Sequence, residues 1–99
     1  MFVVRVQATL HPDQRQRALD QLEREATEVP ERFAGCRQFR AFVDPVEPDR
    51  FLLYEEWDDV ESFERYKGST YFADAGSVLM PAIAGAPDSA YYTAELVGP

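Results

Sequence analysis

Cys36-Arg37-Gln38-Phe39-Arg40-Ala41-Phe42-Val43, then Asp44-Pro45-Val46-Glu47-Pro48-Asp49, then Arg50-Phe51-Leu52-Leu53-Tyr54-Glu55-Glu56-Trp57 is the stretch on which the fold turns. Two strand-like runs flank a segment rich in Pro and Asp, which cannot continue a ladder. So short a connection predicts an antiparallel hairpin. Upstream, Phe2, Val4, Val6 and Ala8 alternate with Val3, Arg5, Gln7 and Thr9, a first strand with one well-buried face. His11-Pro12-Asp13 breaks it and opens a helix. Leu19, Leu22, Ala26, Val29 and Phe33 then form one apolar stripe, and the acidic stretch Glu23–Glu31 reads as the solvated face. Pro30 predicts a kink or an end near Val29, and Gly35 a stop. Downstream, Asp58 reads as an N-cap, with Glu61 completing a capping box. Val60, Phe63 and Tyr66/Lys67 are the inner face of a short helix that Gly68 ends. Ser69 or Thr70 caps a third helix to about Ala84, with stripe Phe72, Ala75, Leu79 and Ile83 and a kink at Pro81. Gly85-Ala86-Pro87-Asp88 ends it, and residues 89–97 read as a fourth strand.

The order β-α-β-β-α(α)-β predicts an α+β fold of the ferredoxin-like split type: a four-stranded antiparallel sheet with helices on one face. The 99 residues make one domain, 1–99. Val3, Phe42 (or Phe39), Leu52, Tyr54 and one of Tyr91/Tyr92 fall on sheet faces. A chain this small buries only about two-thirds of its surface, so covering the second face with a twin predicts a homodimer. Arg5, Gln7, Arg40 and Glu56 would form a polar network there.

Ten Lys and Arg against eighteen Asp and Glu give a net charge of −8, which argues against nucleic acid or an anionic membrane as partner. No apolar run is long enough to span a bilayer. Arg5 interrupts the opening apolar stretch and no basic segment precedes it, so no signal peptide is expected. The single Cys36 fits a reducing cytoplasm. With one cysteine and one histidine, His11, no metal site is expected.

Several short motifs carry a resemblance. They are Leu10-His11-Pro12-Asp13, Gly35-Cys36, the Asp44-Pro45 and Pro48-Asp49 pairs of the hairpin loop, Phe51–Trp57 with its Tyr-Glu-Glu-Trp end, and Ser69-Thr70-Tyr71-Phe72. Over about residues 2–97 the chain resembles the antibiotic biosynthesis monooxygenase domains of the dimeric α+β barrel superfamily. The resemblance implies a small aromatic pocket between helices and sheet, one per subunit. In the oxygenase members, molecular oxygen reacts there with an electron-rich aromatic without metal or flavin. Those members carry Asn, Trp, Tyr and Arg at positions that align with Leu53, Trp57, Phe63 and about Gly76; only Trp57 matches. The haem-degrading branch carries Asn, Trp and His where this chain has Val6, Tyr66 and Gly76, so haem degradation is not expected.

The remaining candidates follow from chemistry. Trp57 is either a wall that stacks on a flat substrate or core packing. Tyr66 and Tyr71 flank the helix break at Gly68-Ser69, where a phenol can donate a hydrogen bond or move a proton. Glu55 shares the inward phase of Leu53 and Trp57. It is a proton acceptor with a raised pKa, or, the reading the residues favour, a partner of Arg40, Arg37 or Arg5. Leu53, Phe63, Phe72, Val6, Leu79 and Ile83 join Trp57 as substrate-binding candidates. His11 reads as a solvated loop residue and Cys36 as a small apolar side chain. The expected function is a cofactor-free monooxygenase that oxidises a small phenolic, quinol or polyketide-type aromatic, with molecular oxygen as co-substrate. The alternatives are an isomerase or cyclase, or a non-catalytic small-aromatic-binding protein.

Overall fold

The computed structural model describes all residues, 1–99. The strands are β1 (Phe2–Leu10), β2 (Cys36–Val43), β3 (Arg50–Trp57) and β4 (Ile83–Thr93). The helices are α1 (Arg15–Arg32), α2 (Val60–Lys67) and α3 (Thr70–Leu79). The sheet order is β2-β3-β1-β4 with every pair antiparallel, which is the ferredoxin-like arrangement the sequence predicts. No helix is long and apolar enough to cross a membrane.

Register lines the inner sheet face up in rows. Phe39, Glu55, Val4 and Tyr91 pair across all four strands, and Ala41, Leu53, Val6 and Ser89 form the next row. The core divides into two clusters. One gathers Val4, Val29, Phe39, Trp57, Phe63 and Tyr66; the other gathers Ala8, Leu10, Ala18, Leu22, Phe51 and Ala82.

Three local expectations shift. The N-cap of α2 is Asp59, not Asp58: its carboxylate accepts from Ser62 N at 2.8 Å. Asp58 instead pairs with Arg37 at 2.6 Å. Pro30 lies inside α1, which continues to Arg32; so close to the C-terminus its missing N–H removes one bond of the last turns. The third difference is larger. Pro81 ends α3 in a 3₁₀ turn, Met80–Ala82, and β4 begins at Ile83 rather than Ser89. Ala84 pairs with Thr9 and Asp88 with Gln7, so Gly85-Ala86-Pro87 bulge out opposite Ala8. Gly85 takes φ +77° there. A proline in β4 is tolerated because β4 is an edge strand. Ser69 caps α3 as expected, accepting from Phe72 N at 3.1 Å.

Gly35 has φ +91°, and a Cβ on it would collide with the Ser62 side chain. The turn from α1 into β2 therefore needs glycine both for its backbone and for the close passage of α2.

Candidate functional site

A cavity of about 210 Å³ lies between the sheet and the helices. Its floor is Val4 and Val6 of β1 and Phe51, Leu53 and Glu55 of β3; its walls come from all three helices and β4. A dry apolar cavity of about 150 Å³ accepts benzene, so this one has room for a substituted ring. The exposed side chains Lys67, Phe72, Met80 and Tyr91 form its rim.

Of the residues proposed from sequence, Val6, Leu53, Glu55, Phe63, Tyr66, Phe72, Leu79 and Ile83 all border this cavity. Trp57 and Tyr71 do not. Trp57 is fully buried, stacked on Tyr66 at 5.3 Å and edge-on to Phe63 at 5.9 Å. It is core packing behind the cavity wall, so the wall reading is corrected. Tyr71 points away, donating to Glu28 Oε1 at 3.3 Å with Arg32 over its ring. Burial pushes its hydroxyl up to about 12, and nothing brings it to a ligand in the cavity. His11 is exposed in the turn after β1. Burial, and then the charge of Glu55, push the Cys36 thiol up to about 12, which disfavours the thiolate.

Glu55 departs most from expectation. It is only 4% exposed and has no cation: the arginine partners envisaged for it lie elsewhere, Arg5 and Arg40 on the opposite sheet face and Arg37 on Asp58. Its sole protein hydrogen bond is at Oε1, which accepts from Trp57 Nε1 at 2.9 Å. No fully enclosed side-chain polar atom is left without a partner, so its unpartnered Oε2 keeps some exposure, and Glu55 lines the cavity. Burial pushes its carboxyl up to about 7, the indole N–H pulls back, and the charge of Glu25 pushes further.

The charge pattern of α1 predicts Glu25 on the solvated face; the structure buries it instead. It is 2% exposed and also borders the cavity. Gln21 Nε2 donates to its Oε2 at 3.2 Å and the Tyr66 hydroxyl to its Oε1 at 3.2 Å. Burial raises its pKa despite these donors. Tyr66 thus borders the cavity with its proton committed to Glu25, and burial, followed by both carboxylates, raises its own pKa. The result is an aromatic and aliphatic cavity with two buried carboxyls from different elements in its lining. Burying such groups without a salt-bridge partner is costly, and perturbed acids in a cleft are a signature of function.

Residues 1–77 match the family model described as antibiotic biosynthesis monooxygenase. The chain belongs to this family. Solved structures agree on the fold. A candidate antibiotic biosynthesis monooxygenase from Caulobacter crescentus is 21% identical, with a TM-score of 0.89 over 96% of this chain and 90% of that one. One from Deinococcus radiodurans is 16% identical at 0.87, over 100% and 97%. One from Nitrosomonas europaea is 20% identical at 0.84, over 95% and 98%. No curated protein matches the chain. The family resemblance places the oxygenases' Asn and Tyr at Leu53 and Phe63 and their Arg near Gly76. All three border the cavity here, and none carries a donor. In this member the polar groups come from α1 and β3 instead.

Proposed function

We propose that this protein is a cofactor-independent monooxygenase of a small phenol or quinol, with molecular oxygen as co-substrate and Glu55 as the proton acceptor. The observation that carries the reading is the buried carboxyl of Glu55, without a salt-bridge partner and with Oε2 unpartnered, in the lining of an aromatic cavity. A phenol bound with its hydroxyl toward Oε2 gives up its proton to the carboxylate. The phenolate ring is then electron-rich enough to reduce oxygen. A C–O bond forms at the para carbon; loss of that carbon's proton and cleavage of the O–O bond release water. For 1-naphthol the balance is one substrate and one oxygen to one 1,4-naphthoquinone and one water. The substrate supplies all the electrons, so neither metal nor flavin is required. The protein orients the ring, excludes water and moves the proton. Glu55 near neutrality is poised for this.

A second copy of the chain completes the assembly in this reading. Val3, Leu52 and Tyr54, together with the exposed Phe42 and Tyr92, lie on the face without helices. An apolar sheet face of this kind is covered in a stable protein, and light scattering should give a dimer. The single free thiol suits a reducing cytoplasm.

Oxygen uptake and quinone absorbance with 1-naphthol, corrected for autoxidation, test the oxygenase. One oxygen per quinone, lost at least 100-fold in Glu55→Gln, is expected. Turnover that persists without oxygen would point to an isomerase or cyclase on the same carboxyls. Saturable binding without turnover would leave a binding protein.

A further inference from the structure

Helix α3 presents Phe72, Ala75, Gly76 and Leu79 to the cavity. Their spacing of three, one and three is that of one helical stripe. A core-facing stripe ordinarily carries large apolar side chains throughout, but the two middle positions here are alanine and glycine. Gly76 has no conformational need to be glycine, since its φ is not positive. Nor does it serve a close approach: a Cβ built on it meets no atom within 4 Å. A glycine in a helix interior costs about 1 kcal/mol relative to alanine. Neither backbone nor packing requires that cost, and what the glycine leaves behind is open space on the cavity side.

We infer that Gly76 is a specificity-determining residue, whose missing side chain lets the cavity accept a fused two-ring aromatic rather than a single ring only. The inference rests on the reading that the cavity binds a small aromatic. It commits to a length as well as a chemistry: a hydroxyl for Glu55 at the polar end, and a second ring beside Gly76. With about 210 Å³ available against the about 150 Å³ that holds benzene, the margin is small enough for one side chain to remove. Leucine at position 76 adds four carbons, the number by which naphthol exceeds phenol.

The test is anaerobic titration calorimetry with phenol and 1-naphthol on the full chain, which excludes turnover, combined with thermal melts. Wild type should bind both. Gly76→Leu should keep phenol within about threefold and lose at least tenfold for 1-naphthol. Gly76→Ala should raise the melting temperature, retain phenol and weaken 1-naphthol by less than leucine does. If leucine prevents folding, the alanine variant alone carries the comparison. Equal 1-naphthol affinity in wild type and the folded variants, or a melting temperature lowered by alanine, would overturn the role of Gly76 while leaving the cavity's function intact. Failure of wild type to bind either phenol would overturn both readings.

Discussion

Glu55→Gln is the sharpest perturbation of this site, because stability and chemistry should respond in opposite directions. Glutamine keeps an oxygen to accept the Trp57 indole N–H and removes the buried charge. In the unfolded chain the carboxyl titrates near 4.5; in the fold, burial holds it up to about 7. The raised value means that the native state holds its proton after the unfolded chain has released it. The associated stability is fully present below about pH 4.5 and is lost as pH rises through about 7. At about 1.4 kcal/mol per pH unit, the loss at pH 8 comes to about 3 kcal/mol, against less than about 1 kcal/mol at pH 5. The stability advantage of Glu55→Gln should therefore grow by about 2 to 3 kcal/mol between pH 5 and pH 8. For a domain of this size that is a widening of about 10 °C in Tm. Paired calorimetric or circular-dichroism melts at pH 5, 6, 7 and 8, at fixed ionic strength, read it directly. Glu25 titrates in both proteins, so the difference reports Glu55 and its repulsion with Glu25. Over the same range kcat with 1-naphthol should fall at least 100-fold in the variant. A Tm gap that stays constant from pH 5 to 8 would refute the claim that Glu55 is buried without compensation.

The remaining predictions concern the same neighbourhood and its frame. The kcat/KM of wild type for 1-naphthol should rise with pH through about 7, because the acceptor must be ionised; Glu25→Gln should move that limb to lower pH by removing a like charge, as stopped-flow or steady-state pH profiles would show. Trp57→Phe deletes a fully buried indole and the only donor to Glu55; it should cost about 2 to 4 kcal/mol in denaturant melts and move the acid limb upward. Gly35→Ala forces a methyl against Ser62 at a backbone angle unsuited to it; a loss of about 2 kcal/mol or more in the same melts is expected.

The fold was largely legible because its signals were redundant. Strand alternation, the Pro-rich hairpin loop and the helical stripes each specified the same topology. The start of β4 was not, because Gly85 and Pro87 are breakers in any local reading. Only the neighbouring β1, which leaves Ala8 facing a three-residue bulge, shows that the strand passes through them. Glu25 was hidden differently. It stands among Glu23, Glu28 and Glu31, and its charge alone reads as a solvated face. Its spacing carried the signal: Ala18, Leu22, Glu25 and Val29 follow one another at four, three and four, and all are buried. An acid in phase with an apolar stripe is a candidate buried acid, and chemistry follows from burial more than from residue type. Trp57 erred the other way. As the sole indole it invited a ligand-stacking role, but its position at the end of β3 puts it under α2, where Tyr66 and Phe63 enclose it.

These placements divide the work at the site between elements. Trp57 and Tyr66 each donate their hydrogen to a carboxylate, the indole to Glu55 and the phenol to Glu25. Each thereby holds one acid in place, and Oε2 of Glu55 is left without a protein partner. A core of this size could have been closed with a larger residue at position 76 and a leucine or methionine at position 55, with a gain in stability from both. The chain instead maintains two buried acids and an unfilled helix face around one space. Two independent sacrifices of stability that converge on a single cavity are what the proposed ligand, with a hydrogen-bond donor at one end and a flat apolar body at the other, would account for.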